Sequence, residues 1–462
     1  MSPCSPDAVA AGASTHPQQV FERGTATRLT LGEATRVWLR IGLLSFGGPA
    51  GQIALMHRIL VEEKRWLDEP SFLHALNFCM LLPGPEAQQL ATYVGWLLHR
   101  IRGGLIAGSL FILPGFLVIL ALSFTYVLAG TVPLIQGLFV GLKAAIVVIV
   151  LQAVIRIARR SLNSFVPTML AIFAFLAMFV WRVPFPYVIL VSAGVGALAA
   201  GFAKDGKTVG HETSESLAVA DDSQAGTTGY VVRYTAVFGT LWIAPTAILI
   251  MALGTDNVFS NIGLFFSKMA VVTFGGAYAV LAYVSQEAVA TYNWLAPGEM
   301  IDGLAMAETT PGPLIMVTQF VGFVAAYRDP GTLSPGLAAF LGGALTTWVT
   351  FVPCFMWIFV GAPYIERLRR NPVLSAALSG VTAAVVGVVV NLALWFAIHA
   401  LFASVSLLQF AGAVVEIPVF TSLRLPSLLI ALVGALLVFR FRASMLSTLV
   451  VTGALGVLSY LL

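Results

Sequence analysis

Ser45-Phe46-Gly47-Gly48-Pro49 and Thr273-Phe274-Gly275-Gly276-Ala277 are nearly one phrase written twice, 228 positions apart. The same spacing carries Trp66-Leu67 onto Trp294-Leu295, and Pro83-Gly84-Pro85 onto Pro311-Gly312-Pro313. Gly and Pro are common here, so each motif alone is a weak signal. Three motifs in one ungapped register point to an internal duplication. Fainter echoes follow with gaps: Pro114 answers Pro353, Gly141 and Gln152 answer Gly380 and Asn391, and Val166-Pro167 answers Leu425-Pro426.

The duplicated unit is built for lipid. The chain is 58% hydrophobic and only 10% charged, with mean hydropathy +0.92. A soluble domain carries about 25% charged residues. Leu105–Leu128, Val132–Ile155 and Val373–Ala400 are each longer than the ~20 residues that cross a bilayer as a helix. Backbone groups in lipid must be paired within helices or a closed barrel, and period-two alternation is absent, so helices are expected. Met1–Thr30 is polar, lacks the apolar stretch of a signal peptide, and reads as a disordered cytoplasmic tail. Cys4, Cys79 and Cys354 are scattered and odd in number, with neither a disulfide frame nor metal spacing.

Each repeat reads as six membrane segments. The first repeat, 31–203, places them near 33–60, 71–98, 103–129, 131–158, 164–181 and 184–202. The second, 254–462, places them near 262–288, 299–326, 334–360, 373–402, 425–441 and 443–462. Between them lie a polar linker, 204–229, and an apolar stretch, 230–253, that has no counterpart and is long enough to span. The expected fold is therefore an all-α polytopic membrane protein of about thirteen segments, in which the extra span inverts the second half. Charge agrees with this layout. With the N-terminus inside, thirteen Lys and Arg fall inside, among them Arg100, Arg102, Arg159, Arg160, Arg440 and Arg442, and only Lys64, Arg65, Arg182, Arg328 and Arg424 fall outside. The exception is the acidic loop Glu62–Glu69, which holds Lys64 and Arg65. It would move inside if Ile41–Leu60 turned back instead of spanning.

Inverted repeats are a plan of secondary transporters, with the substrate near the midplane where Gly/Pro-broken helices expose their termini. The broken pairs are Phe46-Gly47-Gly48 with Phe274-Gly275-Gly276, and Pro83-Gly84-Pro85 with Pro311-Gly312-Pro313. A helix restarting there aims free N–H groups and about half a positive charge at its N-terminus, which suits an anion. Arg40 and Lys268 each precede the Phe of the Phe-Gly-Gly motif by six residues, a cation at one position of both repeats. Lys143 lies deeper in its span. Glu86 follows the first Pro-Gly-Pro and Glu308 precedes the second; each reads as a proton carrier or a counter-ion, and Gln88 as a substrate donor or a helix tie. The competing structural readings are close packing at the glycines and snorkelling of Arg40 and Lys268 to the interface.

At these residues the sequence resembles the chromate ion transporter family in its long, two-domain form. The resemblance rests on Ser45-Phe46-Gly47-Gly48-Pro49, Trp66-Leu67, and Leu82-Pro83-Gly84-Pro85 followed by Glu86-Ala87-Gln88-Gln89. In the second half it rests on Phe274-Gly275-Gly276, Glu308 and Thr310-Pro311-Gly312-Pro313. Ala277 stands where the first half has Pro49. The resemblance implies export of chromate across the bacterial inner membrane, chromate resistance, drive by membrane potential or an ion gradient, and sulfate as competitor. It also implies that short members, similar to one half, work as pairs. No cofactor is expected, and no nucleic-acid partner; beyond the bilayer, a homodimer is left open. A sulfate or other oxyanion carrier is the rival within transport. A non-transporting sensor or scaffold is the rival from another class, disfavoured by the lack of a long polar segment. An enzyme is disfavoured by missing nucleophile, metal and Walker-type motifs.

Overall fold

The computed structural model describes residues 29–130, 132–202, 228–274, 276–364, 371–410 and 413–461. The N-terminal tail, most of the polar linker, Gly275 and the basic segment 365–370 lie outside the described residues. The fold is helical, as the composition requires. Five helices among the described residues are long and apolar enough to cross a membrane: α4 (Glu86–Ala129), α5 (Pro133–Ser161), α8 (Thr228–Leu253), α13 (Pro335–Gly361, running on to Tyr364) and α14 (Pro372–Leu401). A small antiparallel hairpin, β1 (Val405–Phe410) with β2 (Ala413–Pro418), is an addition the segment pattern did not show.

Four of the expected spans are not straight. The 33–60 stretch is α1 (Leu31–Leu44) and α2 (Gly48–His57, continued by Arg58–Glu63), separated by a break at Ser45-Phe46-Gly47. Fourteen residues of helix reach about 21 Å, short of the ~30 Å hydrocarbon core. The chain then folds back: Arg40 pairs with Glu63 at 2.9 Å and Lys64 with Glu33 at 3.8 Å. The stretch 41–60 thus turns back on itself, and Lys64 sits beside the entry of α1. Hydropathy could not reveal this, because both arms are apolar and only the glycine break marks the turn.

The same device is used three more times. α3 (Glu69–Cys79) and the first part of α4 flank Pro83-Gly84-Pro85, with Phe78 against Tyr93 across the arms at 5.1 Å. α9 (Val258–Val272) and α10 (Ala277–Gln286) flank the second Phe-Gly-Gly, with Phe265 against Tyr283 at 5.4 Å. α11 (Pro297–Thr309) and α12 (Val317–Arg328) flank the second Pro-Gly-Pro, and Arg328 pairs with Glu299 at 2.6 Å where the arms part. α4 returns to the start of the chain, where His99 Nε2 donates to Leu29 O at 2.9 Å. There it kinks, Arg100 taking φ 53°, before the apolar crossing begins.

α4 and α13 run antiparallel through the middle. Gly104 faces Phe359 and Gly108 faces Phe355 near one end, while Gly336 of α13 approaches Phe124 of α4 near the other, a Cβ there lying 3.8 Å from the Phe124 ring. Leu29 and His99 lie towards the first end, and Glu299 and Arg328 towards the second.

The periphery is exchanged between the halves. α6 (Phe165–Phe179) and α7 (Phe185–Phe202) of the first half pack on α14 of the second. The seam is set by backbone approach, Gly196 on Ala376 and Gly380, and Gly387 on Ala171. α15 (Leu425–Ala435) and α16 (Met445–Leu461) of the second half pack on α5 of the first, where Gly141 meets the Thr452 carbonyl and Gly137 meets Val457. A Cβ at Gly141 would stand 2.0 Å from that oxygen, so these seams tolerate only glycine.

Candidate functional site

The four hairpin tips meet one another, first half against second. The Gly84 amide donates to Thr273 O at 2.8 Å, and the Gly312 amide donates to Ser45 O at 3.0 Å. Each Pro-Gly-Pro tip is therefore stitched to the other half's Phe-Gly-Gly break. Ser45 and Thr273 occupy one repeat position and do the same local work. Ser45 Oγ donates to Ile41 O and Thr273 Oγ1 to Met269 O, each at 2.6 Å, which ends α1 and α9 with a bonded hydroxyl.

Side-chain amides brace the tips. Gln52 Nε2 donates to Gly312 O at 2.6 Å and to Ser45 O at 3.4 Å, so one residue clamps both strands of the second junction. Gln89 Nε2 donates to Pro83 O at 2.7 Å. Gly84 has φ 131°, and a Cβ there would meet Gln89 Nε2 at 2.7 Å and Cys354 Sγ at 2.9 Å. Only glycine fits this position.

Between the tips is a narrow cavity of only about 10 Å³, lined by Pro49, Pro85, Glu86, Ala277, Pro313 and Leu314, so the tips must part to admit an ion. Those residues are the first turns of four helices: α2, α4, α10, and the Leu314–Arg328 helix that contains α12. Pro at these starts suits a first turn, since its missing N–H has no intrahelical acceptor. Four N-termini, each carrying about half a positive charge, converge on one space.

Two carboxylic acids approach these helix starts crosswise. Glu308, on α11, is buried and approaches Gly48 of the first half; a Cβ on Gly48 would lie 3.7 Å from Glu308 Oε2. Glu86, on α4, approaches Gly276 of the second half, with a Cβ there 3.7 Å from Glu86 Oε1. Tyr278 OH donates to Glu308 Oε1 at 2.7 Å, while Oε2 is buried without a partner among the described residues.

The remaining sequence-derived residues are placed as follows. Phe46 and Phe274 stand at the breaks, partly exposed. Gln88 is buried within α4 and donates to Thr92 Oγ1 at 3.0 Å, away from the cavity wall. Arg40 is on the outer face of α1, its side chain 49% exposed and paired with Glu63. Lys268 is exposed on α9 and makes no ion pair among the described residues. Helical spacing explains both: Trp38 and Ile41, or Phe266 and Met269, take the inward positions and turn the cation outward.

Residues that the sequence reading passed over do more. Gln52, Tyr278 and Asp302 are polar groups on apolar faces, and that mismatch was their only signal. Asp302, on α11, accepts from Lys143 Nζ and from Tyr126 OH, each at 3.1 Å.

The family described as chromate transporter matches residues 32–197 and 260–458, so both repeats are covered. The chain belongs to the chromate transporter family. A chromate transport protein of Cupriavidus metallidurans is 29% identical over 464 residues, 99% of this chain and 98% of the relative. One from Pseudomonas aeruginosa is 34% identical over 355 residues, 76% of this chain and 77% of that protein. A relative from Methanocaldococcus jannaschii, called an uncharacterized transporter, is 26% identical over 361 residues, 78% of this chain and 83% of the relative. No solved structure matches the chain. Among chromate transporter family members this chain is a multi-pass helical protein whose two matched regions meet at the tips described above.

Proposed function

We propose that the chain exports chromate from the cytoplasm across the inner membrane and so confers chromate resistance, with the dianion held at the central cavity. The observation that carries this reading is the convergence of four helix N-termini on one space. At about half a charge each they sum to about two positive charges, the match for a divalent tetrahedral oxyanion. Hairpins entering from opposite ends fit an inverted repeat, which gives the centre two equivalent approaches and suits alternating access. Glu86 and Glu308 face the same termini, so their carboxylates compete with the substrate, and either is placed to carry a proton when an ion gradient drives the cycle. Sulfate has the same charge and shape and is the expected competitor.

Everted inner-membrane vesicles provide the test. Chromate should accumulate when a membrane potential is imposed, more slowly when it is dissipated, and less with sulfate added. Vesicles that accumulate sulfate but not chromate would transfer the site to the rival oxyanion reading. Vesicles that accumulate neither would overturn transport at this cavity.

A further inference from the structure

Outside the central cavity, a buried cluster on α4, α5 and α11 joins the two halves through charge. Lys143 lies on α5 of the first half, Asp302 on α11 of the second, and Tyr126 near the end of α4. Asp302 Oδ2 receives both the Lys143 ammonium and the Tyr126 hydroxyl, at 3.1 Å each, while Oδ1 is buried and has no donor among the described residues. Rings surround it: Tyr126 stands edge-on to Phe139 and to Phe320, both at 5.2 Å. The backbone of Gly298 lies close enough that a Cβ there would be 3.4 Å from Lys143 Nζ.

As a purely structural tie this cluster is poorly built. A buried ion pair is often no more stabilising than an apolar pair of the same volume. Ionisable groups within a membrane segment are costly and are usually functional. Here the carboxylate uses one oxygen for two donors and leaves the other bare. The ammonium has donors to spare, and its side chain is 21% exposed against 6% for Asp302. The cation is the reachable member of the pair.

Its position also matters. α11 carries Asp302, then Glu308 and the Pro311 tip. Asp302 lies six positions before Glu308, about 9 Å along the arm towards the end where Glu299 meets Arg328. We infer that Lys143 is the first cation a dianion meets on leaving the cavity towards that end, and that Asp302 holds Lys143 until the dianion replaces it. Tyr126 OH, released by Asp302, becomes a second donor to the oxyanion. Asp302 is then a positioning residue that keeps the exit site weak, so that substrate leaves it.

This inference rests on the oxyanion-transport reading. Chromate uptake into proteoliposomes of the full chain should be compared for wild type, Asp302→Asn, Lys143→Met and the double variant. Asp302→Asn should lower KM about tenfold, equivalent to about 1.4 kcal/mol, and lower kcat with it, because release slows. Lys143→Met should raise KM, and the double variant should match Lys143→Met. A structural tie predicts otherwise: both single variants lose folded protein, and the double variant recovers it with wild-type KM. That result would overturn the proposal. Where a single variant folds poorly, Lys143→Cys in a Cys4→Ser background is treated with 2-aminoethyl methanethiosulfonate, which rebuilds a cation. Recovery of KM on modification supports the exchange, and complete modification without recovery sinks it. A wild-type chain that moves neither chromate nor sulfate would instead refute the underlying function.

Discussion

Gly48 and Glu308 face each other across the junction of the two repeats, with Glu308 Oε2 3.7 Å from where a Cβ on Gly48 would stand. Gly48 also has φ 67°, a left-handed conformation that costs an L side chain about 1–2 kcal/mol. Gly48→Ala should therefore lower stability slightly and transport strongly. Gly48→Val, which crowds both the turn and the carboxylate, should abolish transport. Chromate uptake read beside the amount of folded protein checks this. Losses that run in parallel for both variants would assign Gly48 to packing alone.

Glu308→Gln keeps the shape and removes the titrating proton. If Glu308 carries a proton in the cycle, the pH dependence of uptake should flatten while the protein stays folded. Tyr278→Phe removes the donor to Glu308 Oε1 and should cost about 1–3 kcal/mol of local stabilisation. An unchanged pH–rate profile in Glu308→Gln would direct the search to Glu86.

Gln52→Leu leaves the carbonyls of Gly312 and Ser45 without their side-chain donor. The junction between the repeats should be destabilised by about 1–3 kcal/mol. A fall in the melting temperature of the purified protein measures it. Val at the same position should behave like Leu, and Glu worse, since its acceptor-only carboxylate would face the two carbonyl oxygens.

Arg40→Gln with Lys268→Gln separates two ideas of the site. Both side chains point away from the cavity, and Arg40 pairs with Glu63 in an exposed bridge worth about 0–1 kcal/mol. The double variant should keep most of its flux. A complete loss, with normal abundance, would return these cations to the substrate path.

The hairpins predict which residues share a side of the membrane. Cysteine at Lys64 should be labelled from the same side as cysteine at Glu33, and cysteine at Arg328 from the opposite side. Impermeant thiol reagents on whole cells and on everted vesicles report this directly. Labelling of positions 64 and 33 from different sides would restore a spanning Ile41–Leu60.

The duplication, the membrane class and the central motifs were all legible, because glycine and proline record backbone demands directly. Phe46-Gly47-Gly48 and Pro83-Gly84-Pro85 mark breaks, and breaks are where the halves touch. The direction of the chain after each break was not legible. An apolar run of twenty-eight residues reads the same whether it crosses or turns back, and only pairs such as Arg40 with Glu63 decide it. Which way the cations face was not legible for a related reason. Arg40 and Lys268 sit at matching positions of the repeat, but a shared position fixes a shared helix face, not an inward one. Asp302 has no acidic counterpart in the first repeat, where His74 stands at the same spacing, so a search by symmetry passes over it.

The exchange of outer helices has a consequence for biogenesis. When the ribosome has released residues up to Phe202, α6 and α7 are complete but α14, their packing partner, has not been made. Their glycine seams must wait in lipid for some 170 further residues, as α5 waits for α16. Insertion can proceed helix by helix, but assembly cannot close until the last turn of α16 arrives. A chain cut in the linker and supplied as two polypeptides should regain the fold only when both are present in one membrane. Each fragment alone should be a substrate for membrane quality control.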